Sequence, residues 1–201
     1  MNGICANQKG FSLVEVLVAM TLGLLVLAGV SQTFVVQQRV YDVQDEVNVA
    51  IQTGRAIIDC IANDLIMAGY HPQRASDFDD PLVSSHTGIV YIKSDLNENG
   101  VLDADDERVG YYFSPNNKVM LRYTIQKAGW DYLADNIENF EVRLLDKDGN
   151  VAASNDEVRI AEVKVVTRTP NPDPRYKANG GYRTFTFETK VAPPNVGLPA
   201  I

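Results

Sequence analysis

Between residues 95 and 106, oxygen-bearing side chains recur at a spacing that suits a hard divalent cation. Asp95, Asn97 and Asn99 stand at alternate positions, Gly100 follows, and Val101, Asp103 and Asp106 complete a twelve-residue pattern. In calcium loops, side-chain oxygens at positions 1, 3 and 5, a glycine turn at 6, a backbone carbonyl at 7 and oxygens at 9 and 12 wrap one ion. The candidate ligands are Asp95, Asn97, Asn99, the Val101 carbonyl, Asp103 and Asp106, and the candidate cofactor is Ca2+. Acids this close repel one another without a cation. Position 12 departs from the pattern: Asp106 replaces the longer bidentate Glu, with Glu107 beside it. The flanks are strand-like, so such a site would staple a loop rather than sense calcium. The competing reading is a solvated, Asx-rich turn.

A second chemically marked place is the N-terminus. Residues 1–10 are polar and end in Lys9-Gly10; Phe11 then opens a twenty-residue apolar run whose only charge is Glu15. An ordinary secretory signal has its apolar region before the cleavage point. Here the plausible cut, between Gly10 and Phe11, precedes that region and leaves it attached. A carboxylate at the centre of a spanning helix costs about 2.5–3.5 kcal/mol on insertion scales. Glu15 lies one turn in, where the cost is lower, but it still needs a partner. It either snorkels to the interface or pairs with a cation on a neighbouring subunit. The α-amino group that cleavage would free on Phe11 is the best candidate.

Catalytic arrangements are missing, and no catalytic residue is assigned. His71 and His86 are the only histidines, with no second ligand at metal spacing. There is no Gly-x-Ser-x-Gly elbow and no phosphate-binding glycine loop. Trp130 and Tyr132 read as core or edge aromatics rather than a ligand platform. Of the two cysteines, Cys5 lies in the leader and Cys60 in a helical stretch, so cleavage leaves no internal pair. The net charge of -8 and the pI near 4.7 argue against a nucleic-acid partner.

The elements that must position these residues follow from periodicity. Residues 11–30 are long enough, as helix, to cross a bilayer. Lys9 marks the cytoplasmic side, which puts the remainder in the periplasm. The helical pattern continues in steps of three and four: Val36, Val40, Val43, Val47, Ala50, Ile51, Gly54, Ile57, Ile58, Ile61 and Leu65. It predicts one helix over about 12–68, roughly 85 Å long, stopped by Gly69 and Pro72. Beyond a loop at 71–87 the period becomes two, and strands are expected at 88–93, 108–113, 118–126, 139–145, 158–169 and 182–192. The fold class is therefore α+β: a long N-terminal helix whose C-terminal half packs on an antiparallel sheet. The expected organisation is a leader at 1–10, an apolar helix half at 11–36, an amphipathic half at 37–70, a β-rich head at 71–192 and a tail at 193–201.

Lys9-Gly10-Phe11-Ser12-Leu13-Val14-Glu15 resembles the type IV prepilin signature of a leader ending in Gly, a mature Phe, and Glu at the fifth mature position. Asn63 through Tyr70, Leu133 through Phe140 and Val158 through Thr169 are similar to segments of PilW-type minor pilins. The major-pilin proline at the twenty-second mature position is absent; Gln32 stands there. The resemblance implies a pilin-like fold, cleavage after Gly10 and methylation of Phe11 by a prepilin peptidase, and pairing of Glu15 with a neighbour's Phe11 amine. It implies a non-enzymatic minor pilin of the inner membrane and the extracellular pilus, with other minor pilins, the major pilin and the inner-membrane assembly platform as partners. PilW-type proteins are also similar to the J-type minor pseudopilin of type II secretion, which is one alternative. A signal-anchored periplasmic calcium-binding domain that never polymerises is another.

Overall fold

No proline interrupts the chain before Pro72, and one helix uses almost all of that length. In the computed structural model, which describes residues 10–72, 80–85, 88–104, 106–125 and 129–196, helix α1 spans Leu13–Met67. The chain divides into two compact units, residues 1–45 and 46–201, and α1 contributes to both.

In the first unit the described residues from Leu13 onward are helical. The apolar side chains from Leu13 to Val40 are exposed, and an 18-residue window of α1 has a mean hydropathy of 2.5. By length and composition this helix can cross a membrane.

In the second unit α1 buries one face: Ala50, Gly54, Ile57, Ile58, Ile61 and Leu65. These are stripe positions expected from the sequence; Val36 and Val40, at the start of the same stripe, are exposed. The helix stops as expected. Gly69 takes φ +77° and its N–H donates to the Lys93 carbonyl at 2.9 Å. That left-handed conformation suits glycine, and a Cβ would lie 2.7 Å from the Asn195 carbonyl oxygen.

The α+β arrangement is present, with the helix packed against antiparallel sheet, but there are two sheets rather than one. The first is a five-stranded meander in the order β1 (Leu82–Ser85), β2 (Ile89–Lys93), β3 (Arg108–Ser114), β4 (Val119–Thr124) and β5 (Gly129–Ala134). The second has three strands, β6 (Ile137–Leu145), β7 (Ile160–Arg168) and β8 (Thr184–Val191). Strands β1 and β5 were not expected. β1 has four residues next to Pro81, and β5 is an edge strand with exposed side chains, so neither shows a clear alternation. The chain leaves the first sheet at Asn136, whose φ of +56° turns it into β6.

One core joins both sheets to the helix. Val90, Ile92, Val109, Tyr111, Phe113 and Met120 come from the first sheet, and Ile137, Phe140, Val142, Val163 and Val165 from the second. Thr167 is buried among them, and its hydroxyl donates to the Ala50 carbonyl of α1 at 2.9 Å, which satisfies both polar groups. Pairs such as Lys164–Glu188 and Lys190–Glu162, each 2.9 Å, line another part of the second sheet.

Candidate functional site

The two residues at the expected cleavage point are open to a second protein. Gly10 and Phe11 precede α1, and Phe11 is 89% exposed. A Cβ added at Gly10 would meet nothing within 4 Å. Among the described residues there is therefore no packing reason for glycine at that position.

Glu15 has a partner within its own chain. Its Oε2 accepts the Ser12 backbone N–H at 2.9 Å, while the Ser12 hydroxyl accepts the Val14 N–H at 3.3 Å. The Ser12 carbonyl takes the Val16 N–H at 3.2 Å. This is a Ser-x-x-Glu capping box: Ser12 is the N-cap and Glu15 the third helical residue, reaching back to the first orphan donor. The sequence reading of Glu15, an acid that snorkels or pairs with a neighbouring subunit, did not include this cap. The missed signal was Ser12, three residues before Glu15 and directly ahead of an apolar helical run.

In the 95–107 loop the structure brings together Asn97, Asn99 and Asp103. The Asn97 and Asn99 side-chain amides both donate to the Asp103 carboxylate at 3.1 Å. The Asn97 Oδ1 accepts the Asn99 N–H at 2.9 Å, and the Asn99 Oδ1 accepts the Val101 N–H at 2.8 Å. Asp95 reaches across the loop, where its Oδ2 accepts the Gly100 N–H at 3.0 Å; His71 Nδ1 lies 3.3 Å from the same oxygen. Gly100, at the expected turn position, has φ +80°.

Asp106 does not join them. It is exposed and lies 3.4 Å from the Arg122 guanidinium on β4. The acid inside the loop is its neighbour, Glu107, which is fully buried. Glu107 Oε1 accepts the Asn97 N–H at 3.1 Å, and Oε2 accepts those of Asp103 and Ala104 at 2.9 and 2.8 Å. The start of β3 at Arg108 decides which of the two adjacent acids turns inward. Among the described residues, no three His, Cys, Asp or Glu side chains gather as a metal cluster. Any cation here would depend on the asparagine oxygens and a backbone carbonyl.

The loop is tied to the end of α1. The Asp95 N–H donates to the Tyr70 carbonyl at 2.7 Å, and the Tyr70 hydroxyl donates to Glu98 at 2.8 Å. A few residues earlier on the helix, Tyr111 donates from β3 to Asp64, and Cys60 Sγ lies 3.2 Å from the same hydroxyl. Burial and the nearby Asp64 carboxylate push the Tyr111 phenol far above its ordinary range, so it stays a donor. Cys60 is a free, half-buried thiol.

Trp130 is an edge aromatic. Its ring lies 6.0, 5.6 and 5.7 Å from those of Tyr91, Tyr112 and Tyr123, on the face of the first sheet away from the core. Tyr132 is 63% exposed on the same strand.

Residues 5–31 match the family described as the prokaryotic N-terminal methylation motif. The match takes in Gly10, Phe11, Ser12, Glu15 and most of the apolar run, and it supports a type IV pilin-like N-terminal signal. No curated protein and no solved structure matches the chain significantly.

Proposed function

We propose that this chain is a PilW-like minor pilin of a type IV pilus, which helps other minor pilins to start fibre assembly. A prepilin peptidase cuts after Gly10 and methylates the Phe11 amine. The mature protein waits in the inner membrane, anchored by its N-terminal helix with the head in the periplasm, until the assembly platform moves it into the fibre beside the major pilin.

One observation carries this reading: a methylation-motif helix whose apolar side chains from Leu13 to Val40 are left exposed by the described residues. Such a surface is stable only in lipid or against other apolar helices. A fibre core of like helices offers the second environment, so one segment serves both as anchor and as assembly element. Gly10 fits the reading because the requirement for glycine comes from outside the fold. Glu15 gives the transfer a register, since an acid in an apolar bundle is costly unless a cation meets it. A neighbour's Phe11 amine can displace the Ser12 N–H from its carboxylate.

The test is mass spectrometry of the N-terminus of protein taken from its native membrane, paired with a deletion strain. The expected results are a methyl-Phe11 start, loss of surface pili and intact secretion. An uncut leader would sink the processing step. A methylated protein whose deletion stops type II secretion but spares pili would make it a pseudopilin instead. A methylated protein absent from fibres and dispensable for both would leave an anchored domain that does not polymerise.

A further inference from the structure

We propose that the 95–107 loop holds one calcium ion, which fastens the end of α1 to strands β2 and β3. Spacing alone does not carry this. The independent observation is Asp95: the residue is fully buried, and its Oδ1 has no hydrogen-bond partner. The other oxygen of that carboxylate accepts the Gly100 N–H across the loop and has His71 Nδ1 at 3.3 Å, which leaves Oδ1 as the unsatisfied atom. Buried polar atoms are nearly always satisfied, and one that is not points to a water or an ion. Buried carboxylates in particular are paired or coordinate metals.

The surroundings fit a hard cation. Of the loop's carboxylates, Asp95 and Glu107 are fully buried, and Asp103 is exposed on the rim, where it accepts the Asn97 and Asn99 amides. The Arg122 guanidinium on β4 is engaged by Asp106 and Asp64. Glu107 spends both oxygens on three backbone N–H groups, so it shapes the loop rather than offering a ligand. The ligands are then Asp95 Oδ1, the side-chain oxygens of Asn97, Asn99 and Asp103, and the Val101 carbonyl. Each asparagine Oδ1 accepts one backbone N–H and keeps a second lone pair. An all-oxygen set with neutral amides and a backbone carbonyl suits calcium, whereas magnesium demands a tighter octahedron and zinc prefers nitrogen and sulfur.

The ion would act where the helix meets the sheet. Asp95 is at once a ligand and the donor to the Tyr70 carbonyl, and the Gly69 N–H donates to Lys93, two residues before Asp95. Fixing Asp95 therefore fixes the helix exit. The site concerns the head alone and stands whether or not the chain enters a fibre.

The full mature chain in detergent, stripped with EGTA, is titrated with calcium chloride by calorimetry and thermal melting. One ion per chain is expected, with the melting temperature rising by roughly 5–10 °C at a hundredfold excess over Kd. Amide exchange at Gly69 and Asp95 should slow with it. Asp95→Asn should abolish both effects. Should that buried variant fail to fold, Asn99→Ala and Asp103→Asn on the exposed rim decide, each expected to weaken binding at least tenfold. No response from the wild-type chain, an equal response to magnesium, or rim variants that bind like wild type would each overturn the site.

Discussion

The carboxylate of Glu15 holds the backbone N–H of Ser12 at 2.9 Å, so the residue cast as an intermolecular contact also caps its own helix. The two roles separate by substitution. Glutamine can occupy the third position of a capping box, so Glu15→Gln keeps the cap and loses the charge. Ser12→Ala keeps the charge and costs about 0.5–2 kcal/mol at the helix start. We expect Glu15→Gln to insert and fold normally yet disappear from sheared pili, while Ser12→Ala still enters them. Immunoblots of membrane and pilus fractions read both. A Glu15→Gln chain present in pili at wild-type levels would show that the charge is not the assembly contact.

Gly54 sits face to face with Phe187. A Cβ there would fall 2.2 Å from the ring carbon Cε2, well inside contact distance. Alanine in a helix interior is favoured over glycine by about 1 kcal/mol, but overpacking a core costs about 1–3 kcal/mol. The steric term should win, and Gly54→Ala should melt a few degrees below wild type. The double variant Gly54→Ala/Phe187→Leu should recover most of the loss. A single variant more stable than wild type would mean that Phe187 gives way freely.

The parts legible in the sequence were those with long repeats. The step of three and four from Ala50 to Leu65 gave the buried helix face because burial there depends only on helix period. Strand β7 was legible for the same reason, its residues alternating between buried and half-buried throughout. Features set by one residue were not. The left-handed Asn136 splits the expected sheet in two, yet nothing in Ala134-Asp135-Asn136 announces it. The choice of Glu107 over Asp106 depends on where β3 begins, and a slip of one residue reverses a strand's faces. The capping box was legible in Ser12 and Glu15 but was overshadowed by the oddity of an acid in an apolar run.

Gly110 on β3 leaves the gap that Tyr91, Tyr123 and Trp130 share across the first sheet. Register places Tyr91 opposite Gly110, Gly110 opposite Tyr123, and Tyr123 opposite Trp130. A Cβ at Gly110 would lie 2.8 Å from the Tyr91 ring edge. That ring is only half-buried and can swing outward, so Gly110→Ala should change stability by less than about 1 kcal/mol. Trp130 is the only tryptophan, so its emission reports the rearrangement directly. A shifted maximum with a nearly unchanged melting temperature is expected. An unchanged spectrum would show that the aromatic row does not depend on this glycine.

Asp64 gives the head a pH dependence with a definite sign. Burial raises its carboxyl above the ordinary value, and the Tyr111 hydrogen bond and the Arg122 charge only partly offset this. A raised folded-state value means that the folded chain takes up the proton more readily than the unfolded chain. The resulting stabilisation is complete below the unfolded carboxylate value and is lost as pH rises through the folded one. Relative to Asp64→Asn, which cannot titrate, wild type should therefore gain stability on acidification across that window. Melting both proteins from pH 7 to pH 3 and plotting the difference removes most of the contribution of the other carboxylates. Tyr111→Phe deletes the hydroxyl that favours the ionised form, so it should move the window to higher pH and cost about 1–3 kcal/mol at neutral pH. A flat difference between wild type and Asp64→Asn would mean that Arg122 and Tyr111 fully compensate the burial of Asp64.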